Sequence, residues 1–251
     1  MNFGVSMKEA VDSAVMLDRH SIARMGSTLI VAPHPDDESL GCGGLISLLT
    51  AGGNPVRVLF VTDGSQSHPG SKKYPAPALA SLREAEALEA LSHLHVPPSN
   101  VHFLRLPDAA LPLPGNSGFD SAVQNIQEQL VRFRPHTVVL PWRRDPHPDH
   151  RASWQLLQTA VSNAGLTPAL LEYPLWLWER GVDSDLPAPG EVIFYKVDVS
   201  ACLAVKQRAI AAHHSQVSSL IDDDPRGFQL SASMLAHFDV PYEIFLSNQQ
   251  L

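Results

Sequence analysis

The chain has 251 residues, 44% of them hydrophobic and 18% charged, the composition of an ordinary globular protein with a sizeable core. Its formal net charge of -8 argues against a general nucleic-acid binder, which needs a basic face, and the short pair Arg143-Arg144 reads as a solvated loop. Two cysteines, Cys42 and Cys202, do not make a secreted disulfide framework. Met1 to Arg24 carries Lys8, Glu9, Asp12, Asp18 and Arg19 and so lacks the apolar core of a signal peptide. No apolar run reaches the roughly 20 residues that cross a bilayer. A cytoplasmic protein without a membrane span is the expectation.

In chain order, Val11 to Arg24 reads as a short helix within an N-terminal helical extension, residues 1–26. Thr28 to Ala32 is a short, β-branched apolar run bounded by Pro33, the pattern of a strand buried on both faces. Glu38 to Ala51 has helical spacing and stops at Gly52-Gly53. Val56 to Thr62 is a second strand. Ser65 to Pro77 is a polar loop, either a substrate flap containing His68 and Tyr74 or plain disorder. Leu79 to Leu94 is a helix, Val101 to Leu104 a strand, Phe119 to Phe133 a helix, Thr137 to Leu140 a strand and Asp149 to Ala164 a helix.

The last third predicts strands over Leu170 to Trp178 and Val192 to Val199, and helices over Ala201 to His214 and Arg226 to His237. In that reading Trp176 and Trp178 share one face of a strand, as core packing or as a wall for a sugar or lipid. The alternation predicts an α/β fold: a Rossmann-like, mostly parallel sheet with helices on both faces, in a single domain over 1–251. In such sheets ligands sit at the carboxyl ends of the strands.

Two clusters fall at those ends: Pro33-His34-Pro35-Asp36-Asp37-Glu38 and Pro146-His147-Pro148-Asp149-His150. Imidazole and carboxylate are natural zinc ligands, and a catalytic zinc keeps about three protein ligands. His34, Asp37 and His150 can supply them, and ferrous iron suits the same set. Asp36 then becomes the general base for water, and His147 an oxyanion stabiliser, general acid or both. Asp149 is placed to orient His147. Glu38 is either a partner of the helix dipole or support for the site.

These motifs resemble those of the LmbE-like (PIG-L) family of N-acetylglucosaminyl deacetylases. His34-Pro35-Asp36-Asp37-Glu38 matches the first family motif and His147-Pro148-Asp149-His150 the second. Thr62-Asp63-Gly64, Arg83, Glu86, Leu106-Pro107-Asp108, Lys206 and His213-His214-Ser215-Gln216 extend the likeness over residues 28–217. Pro33 departs from the small residue usual before the first histidine and touches no proposed ligand. The resemblance implies zinc on His34, Asp37 and His150, Asp36 as base, and His147 assisting the tetrahedral intermediate and the leaving group. It also implies a Rossmann-type sheet and a small N-acylated amino sugar or glycoconjugate as substrate. A homo-oligomer is compatible with the sequence.

Further readings remain open. Asp63 and Arg83 hold sugar hydroxyls, support the metal loop or form a partly buried surface ion pair; Asp108 contacts substrate or forms a turn. Lys206, His213 and Gln216 share a helical face, and His213 reaches the site or packs in a core or subunit contact. Removal of a larger acyl group by the same chemistry is a second enzymatic reading. A sugar-binding protein with a vestigial metal site is disfavoured because Asp36 and His147 are both present. A dinucleotide-binding protein is disfavoured because the first strand–helix turn lacks a glycine fingerprint.

Overall fold

The computed structural model describes residues 7–250; residues 1–6 of the expected N-terminal extension and residue 251 lie outside the described residues. In chain order the elements are α1 (Met7–Asp12), β1 (Val15–Leu17), α2 (Arg19–Arg24), β2 (Thr28–Ala32), α3 (Asp37–Ala51), β3 (Val56–Thr62) and α4 (Ala76–His93). Then come β4 (Val101–Leu106), α5 (Phe119–Phe133), β5 (Thr137–Pro141), α6 (Pro148–Ala164), β6 (Ala169–Tyr173) and α7 (Leu177–Arg180). The chain closes with β7 (Ile193–Asp198), α8 (Leu203–Ala212), α9 (His214–Val217), α10 (Ala232–Phe238) and β8 (Tyr242–Ser247).

One eight-stranded sheet has the order β1-β7-β8-β6-β5-β2-β3-β4. All its pairings are parallel except those of β8, which runs antiparallel between β6 and β7. The apolar runs of the central strands are continuous because both faces are covered. Along β2, Ile30 and Ala32 enter a core shared with α3, α4, α8 and α10, while Leu29 and Val31 enter one shared with α5 and α6. The connections from β2 lead to β3 on one side, and β5 arrives on the other. The tips of β2 and β5 thus flank the topological switch point.

Three stretches differ from the sequence-based expectations. Val11 to Arg24 is not one helix: Val15–Leu17 leaves the helical path to pair with Tyr195–Val197 at the sheet edge. The strand over Leu170 to Trp178 ends at Tyr173, because Pro174 offers no N–H to a ladder. Trp176 and Trp178 therefore do not share a strand face; Trp176 precedes the short helix α7 and Trp178 lies within it. In the C-terminal region helix begins only at Ala232, where the Ser231 side chain caps the Met234 N–H.

Helix α3 carries the first motif, and its seating is tightly specified. A kink at Cys42 (φ -147°, ψ 18°) interrupts it. The Glu243 carboxylate, from β8, accepts the Gly44 and Leu45 N–H groups at 2.7 and 2.8 Å. Lys206 Nζ, from α8, neutralises that carboxylate at 2.8 Å. Gly41 and Gly44 are required by close approach: a Cβ would fall 2.4 Å from the Tyr173 ring and 2.4 Å from Val199 respectively. Both free cysteines are buried, Cys42 at the kink and Cys202 just before α8. No helix among the described residues is long and apolar enough to cross a membrane. Because Lys206 and Glu243 are each under 4% exposed, Glu243→Ala leaves a buried ammonium and two N–H groups without partners. Urea unfolding should register a loss of about 3–5 kcal/mol; a change near zero would show that the pair does not hold α3.

Candidate metal centre and substrate pocket

Strand β2 ends at Ala32, and the next residues turn sharply into α3. His34 and Asp37 are buried on that turn, and His150 is buried in the first turn of α6, which follows β5. Asp37 Oδ2 stands 3.3 Å from His34 Nδ1 and 3.3 Å from His150 Nε2, and it also accepts the His34 backbone N–H at 2.9 Å. Donor atoms on one tetrahedral ion, with bonds of about 2.0–2.2 Å, stand about 3.3–3.6 Å apart. Neither ring nitrogen of the fully buried His150 meets hydrogen-bond geometry. Buried polar atoms rarely stay unsatisfied, so the Nε2 that faces Asp37 fits a metal. Donor atoms of His34, His147 and His150 also lie within 4.8 Å of one another, as do those of His34, Asp108 and Asp149.

Each histidine facing Asp37 has carboxylates on its other ring nitrogen. His34 Nε2 lies 3.2 Å from Asp108 Oδ1 and 3.2 Å from Asp149 Oδ2; His150 Nδ1 lies 3.3 Å from Asp145 Oδ1. Carboxylates behind ligating imidazoles fix the tautomer and raise basicity. Burial alone would lower the pKa of His34, but Asp108, Asp149 and Asp37 hold it well above its ordinary value. Burial likewise opposes the rise of His150, which Asp37 and Asp145 carry to about 9. Burial would raise Asp37, yet His150 and His34 hold it well below the usual range. The field at this point favours a cation.

Asp36 has a different environment. Burial pushes its carboxyl up to about 6; Arg83 opposes the rise and Asp37 adds to it. Its backbone sits at φ 143°, a region non-glycine residues avoid. Arg83 donates to Asp36 Oδ2 at 3.1 Å, to the Pro35 carbonyl at 2.6 Å and to the Gly64 carbonyl at 2.8 Å. Glu38 Oε2 accepts the Asp36 N–H at 3.0 Å, and Glu38 Oε1 faces His213 Nε2 at 2.9 Å.

His147 caps α6: its Nδ1 accepts the Asp149 backbone N–H at 3.2 Å. The Asp149 carboxylate faces His34 and the Ala109 N–H (2.8 Å), so the link expected between Asp149 and His147 runs through the backbone N–H. Burial, with positive charge on His150 and His34, lowers His147 to about 3. An Nδ1 that accepts has no proton, which leaves the hydrogen of a neutral ring on Nε2.

The pocket beside these residues brings together His34, Asp36, Asp37, His147, Arg83 and Asp108. Trp176, Phe228 and Leu230 form an apolar wall, with the Arg180 guanidinium 4.0 Å from the Trp176 ring centroid. Among the residues read from sequence as substrate contacts, Arg83 and Asp108 line the pocket, while Asp63 and His213 do not. Asp63 accepts the Ser65 N–H in a turn, and Arg83 pairs with Asp36 instead. Arg143 and Arg144, read as a solvated loop, bind Glu172 and Glu191. The 65–77 loop is tied down: Gly70, Lys72 and Lys73 donate backbone N–H groups to Asp224 and Asp223.

Sequence reasoning missed Asp145. It is fully buried, accepts the His147 and Trp176 N–H groups at 3.0 Å each, and faces His150. An acid two residues before the second motif was the available signal. Gln216 lines the pocket as well, fully buried; it does not share one helical face with Lys206 and His213, because α8 ends at Ala212 and Gln216 lies in α9.

Comparisons agree with this geometry. The model of the family described as PIG-L, GlcNAc-PI de-N-acetylase, matches residues 29–161, more than half of the chain. Diacetylchitobiose deacetylase of Thermococcus kodakarensis is 32% identical over 203 residues, covering 75% of this chain and 69% of the relative. The 1D-myo-inositol 2-acetamido-2-deoxy-alpha-D-glucopyranoside deacetylase of Rhodococcus erythropolis is 29% identical over 241 residues, covering 76% and 81%. The fold matches N,N'-diacetylchitobiose deacetylase from Pyrococcus horikoshii with a TM-score of 0.64 at 22% identity, over 97% of this chain and 87% of that one. With its strand order, its paired His/Asp clusters and a family match through both of them, this chain belongs to the PIG-L (LmbE-like) family of N-deacetylases.

Proposed function

We propose that this chain hydrolyses the acetamide of an N-acetylglucosamine-type sugar or glycoconjugate, using a divalent metal held by His34, Asp37 and His150. The observation that carries the reading is Asp37 Oδ2, 3.3 Å from a nitrogen of each histidine, beside a buried His150 without hydrogen bonds. His147 is left out of the ligand set because its Nδ1 is engaged by the Asp149 N–H. The family's GlcNAc-PI and the Rhodococcus relative's 2-acetamido-2-deoxy-glucopyranoside share an acetamido sugar, which sets the substrate class. Zinc suits the imidazole and carboxylate donors, and ferrous iron suits them too. Bound there, such an ion supplies Lewis-acid polarisation and lowers the pKa of water to about 7.

The chain's own groups supply the rest. Asp36, raised toward neutrality by burial, takes a proton from water and returns it to the departing amine. Arg83 and Glu38 hold Asp36 in its strained conformation while it does so. His147 donates Nε2–H to the oxyanion that develops on the acetamide carbonyl. This neutral tautomer fits the oxyanion half of the role expected from sequence and moves the acid half to Asp36. Asp108, Asp145 and Asp149 keep the ring orientations of His34 and His150.

Metal analysis separates the two overlapping histidine sets. His150→Ala should lose most bound metal, whereas His147→Ala should retain it; equal retention in both would sink the ligand assignment. With acetate release from N-acetylglucosamine glycosides as the assay, Asp36→Asn should lower kcat by about two to four powers of ten with metal retained. Near-normal kcat with chemistry rate-limiting would require another base. His147→Ala should lower kcat by about two to three powers of ten, the scale of one oxyanion donor; an unchanged value would reduce His147 to a helix cap.

A further inference from the structure

Gln216 stands in the pocket wall with a fixed orientation that the proposed chemistry does not use. It is fully buried, and its side-chain Oε1 has no partner among the described residues. Its Nε2 donates to Ser215 Oγ at 2.9 Å and to Ser67 Oγ at 3.3 Å. The Ser215 hydroxyl is itself committed, donating to Glu86 Oε2 at 2.6 Å while the Ser215 N–H donates to Glu86 Oε1 at 2.7 Å. Ser67 Oγ lies 3.1 Å from His68 Nδ1. Rotating the amide by half a turn would set Oε1 against a Ser215 oxygen whose hydrogen is already given to Glu86, lone pair facing lone pair. The chain Glu86–Ser215–Gln216 therefore locks the amide with its oxygen as the free end. A buried acceptor left unpaired is costly, and a ligand donor is the group that relieves it.

We propose that Gln216 is a specificity-determining residue whose Oε1 accepts a hydrogen bond from one ring hydroxyl of the substrate sugar. The proposal rests on the amino-sugar reading above and adds that one substrate position must carry a donor. Glu86 and Ser215 are positioning residues: they touch Gln216, and through it decide that the pocket offers an oxygen here. Removing the donor from substrate leaves Oε1 buried and unpaired, so a site of this kind rejects the analogue lacking the hydroxyl.

The test uses metal-loaded enzyme and a panel of N-acetylglucosamine glycosides in which each free ring hydroxyl is replaced in turn by hydrogen or by fluorine. At one position the wild type should lose about 10- to 100-fold in kcat/KM for the deoxy sugar. The fluoro sugar, which cannot donate, should lose as much. In Gln216→Met that discrimination should shrink to within about threefold, because no acceptor remains to be stranded. Restoration of wild-type rates by fluorine at that position would overturn the proposal without any variant, since it would show that the enzyme donates there. An unchanged discrimination pattern in Gln216→Met, with normal metal content and unfolding midpoint, would overturn it as well. If the parent glycoside releases acetate, either result falls on Gln216 alone; if it releases none, the amino-sugar reading falls and this proposal with it.

Discussion

The structure turns on a concentration of buried negative charge around two histidines. Asp36, Asp37, Glu38, Asp108, Asp145 and Asp149 come from four loops and helix starts and meet at the tips of β2 and β5. Removing that many carboxylates from water is expensive unless positive charge and N–H groups accompany them. Arg83 supplies one guanidinium, and the N–H groups of His34, Asp36, Ala109, His147 and Trp176 supply five donors. The remaining deficit sits between His34 Nδ1, Asp37 Oδ2 and His150 Nε2. The upward pull on both imidazoles and the downward pull on Asp37 express the same deficit in protonation.

That requirement explains why the supporting structure is so constrained. Asp36 lies beside Asp37 in a backbone conformation, φ 143°, that costs of order 1–3 kcal/mol. Arg83 and Glu38 hold it there, and Glu38 is in turn held by Ser39 and His213. The same helix must sit close against Tyr173 and Val199, which only glycine at 41 and 44 permits, and its second half begins on the Glu243 carboxylate. An error in the seating of α3 would reach the metal donors within one turn.

What the sequence disclosed follows from how local each signal is. The buried strands were legible because runs such as Thr28 to Ala32 are apolar on both faces, and the two His-Pro-Asp clusters because each is contiguous. Strand β8 was not read: its second residue is Glu243, whose partners Lys206, Gly44 and Leu45 are supplied only by the tertiary fold. Strand β1 has three residues and no pattern of its own. The break of β6 was legible in Pro174, and the irregular start of the 226–237 segment in Gly227, but apolar neighbours outweighed both. Support of the metal loop was among the readings of Arg83, and its contacts with Pro35 and Asp36 agree with it, but the partner Asp36, 47 positions away, was not legible. Asp145 was not singled out because its three contacts, toward His147, Trp176 and His150, appear only when β5, α6 and the segment before α7 converge.

The polarity of the pocket follows from the same imbalance. Its lining carries the carboxylates of Asp36, Asp37 and Asp108, the guanidiniums of Arg83 and Arg180, and His147, whose neutral tautomer keeps its hydrogen on Nε2. A cavity lined by carboxylates and guanidiniums together suits a ligand that both gives and accepts hydrogen bonds. A polyhydroxylated ring meets that demand along its edge, and the amide carbonyl of an N-acyl sugar accepts from a donor. His147 adjoins the proposed metal ligands, its ring centroid 5.0 Å from that of His150, whereas Gln216 belongs to the wall with Phe228 and Leu230, whose N–H rests on the Gln216 carbonyl at 2.8 Å. The proposed chemistry and the proposed recognition thus fall on two sets of elements: the switch-point loops after β2 and β5 for the first, and the segment from α9 to Leu230 for the second.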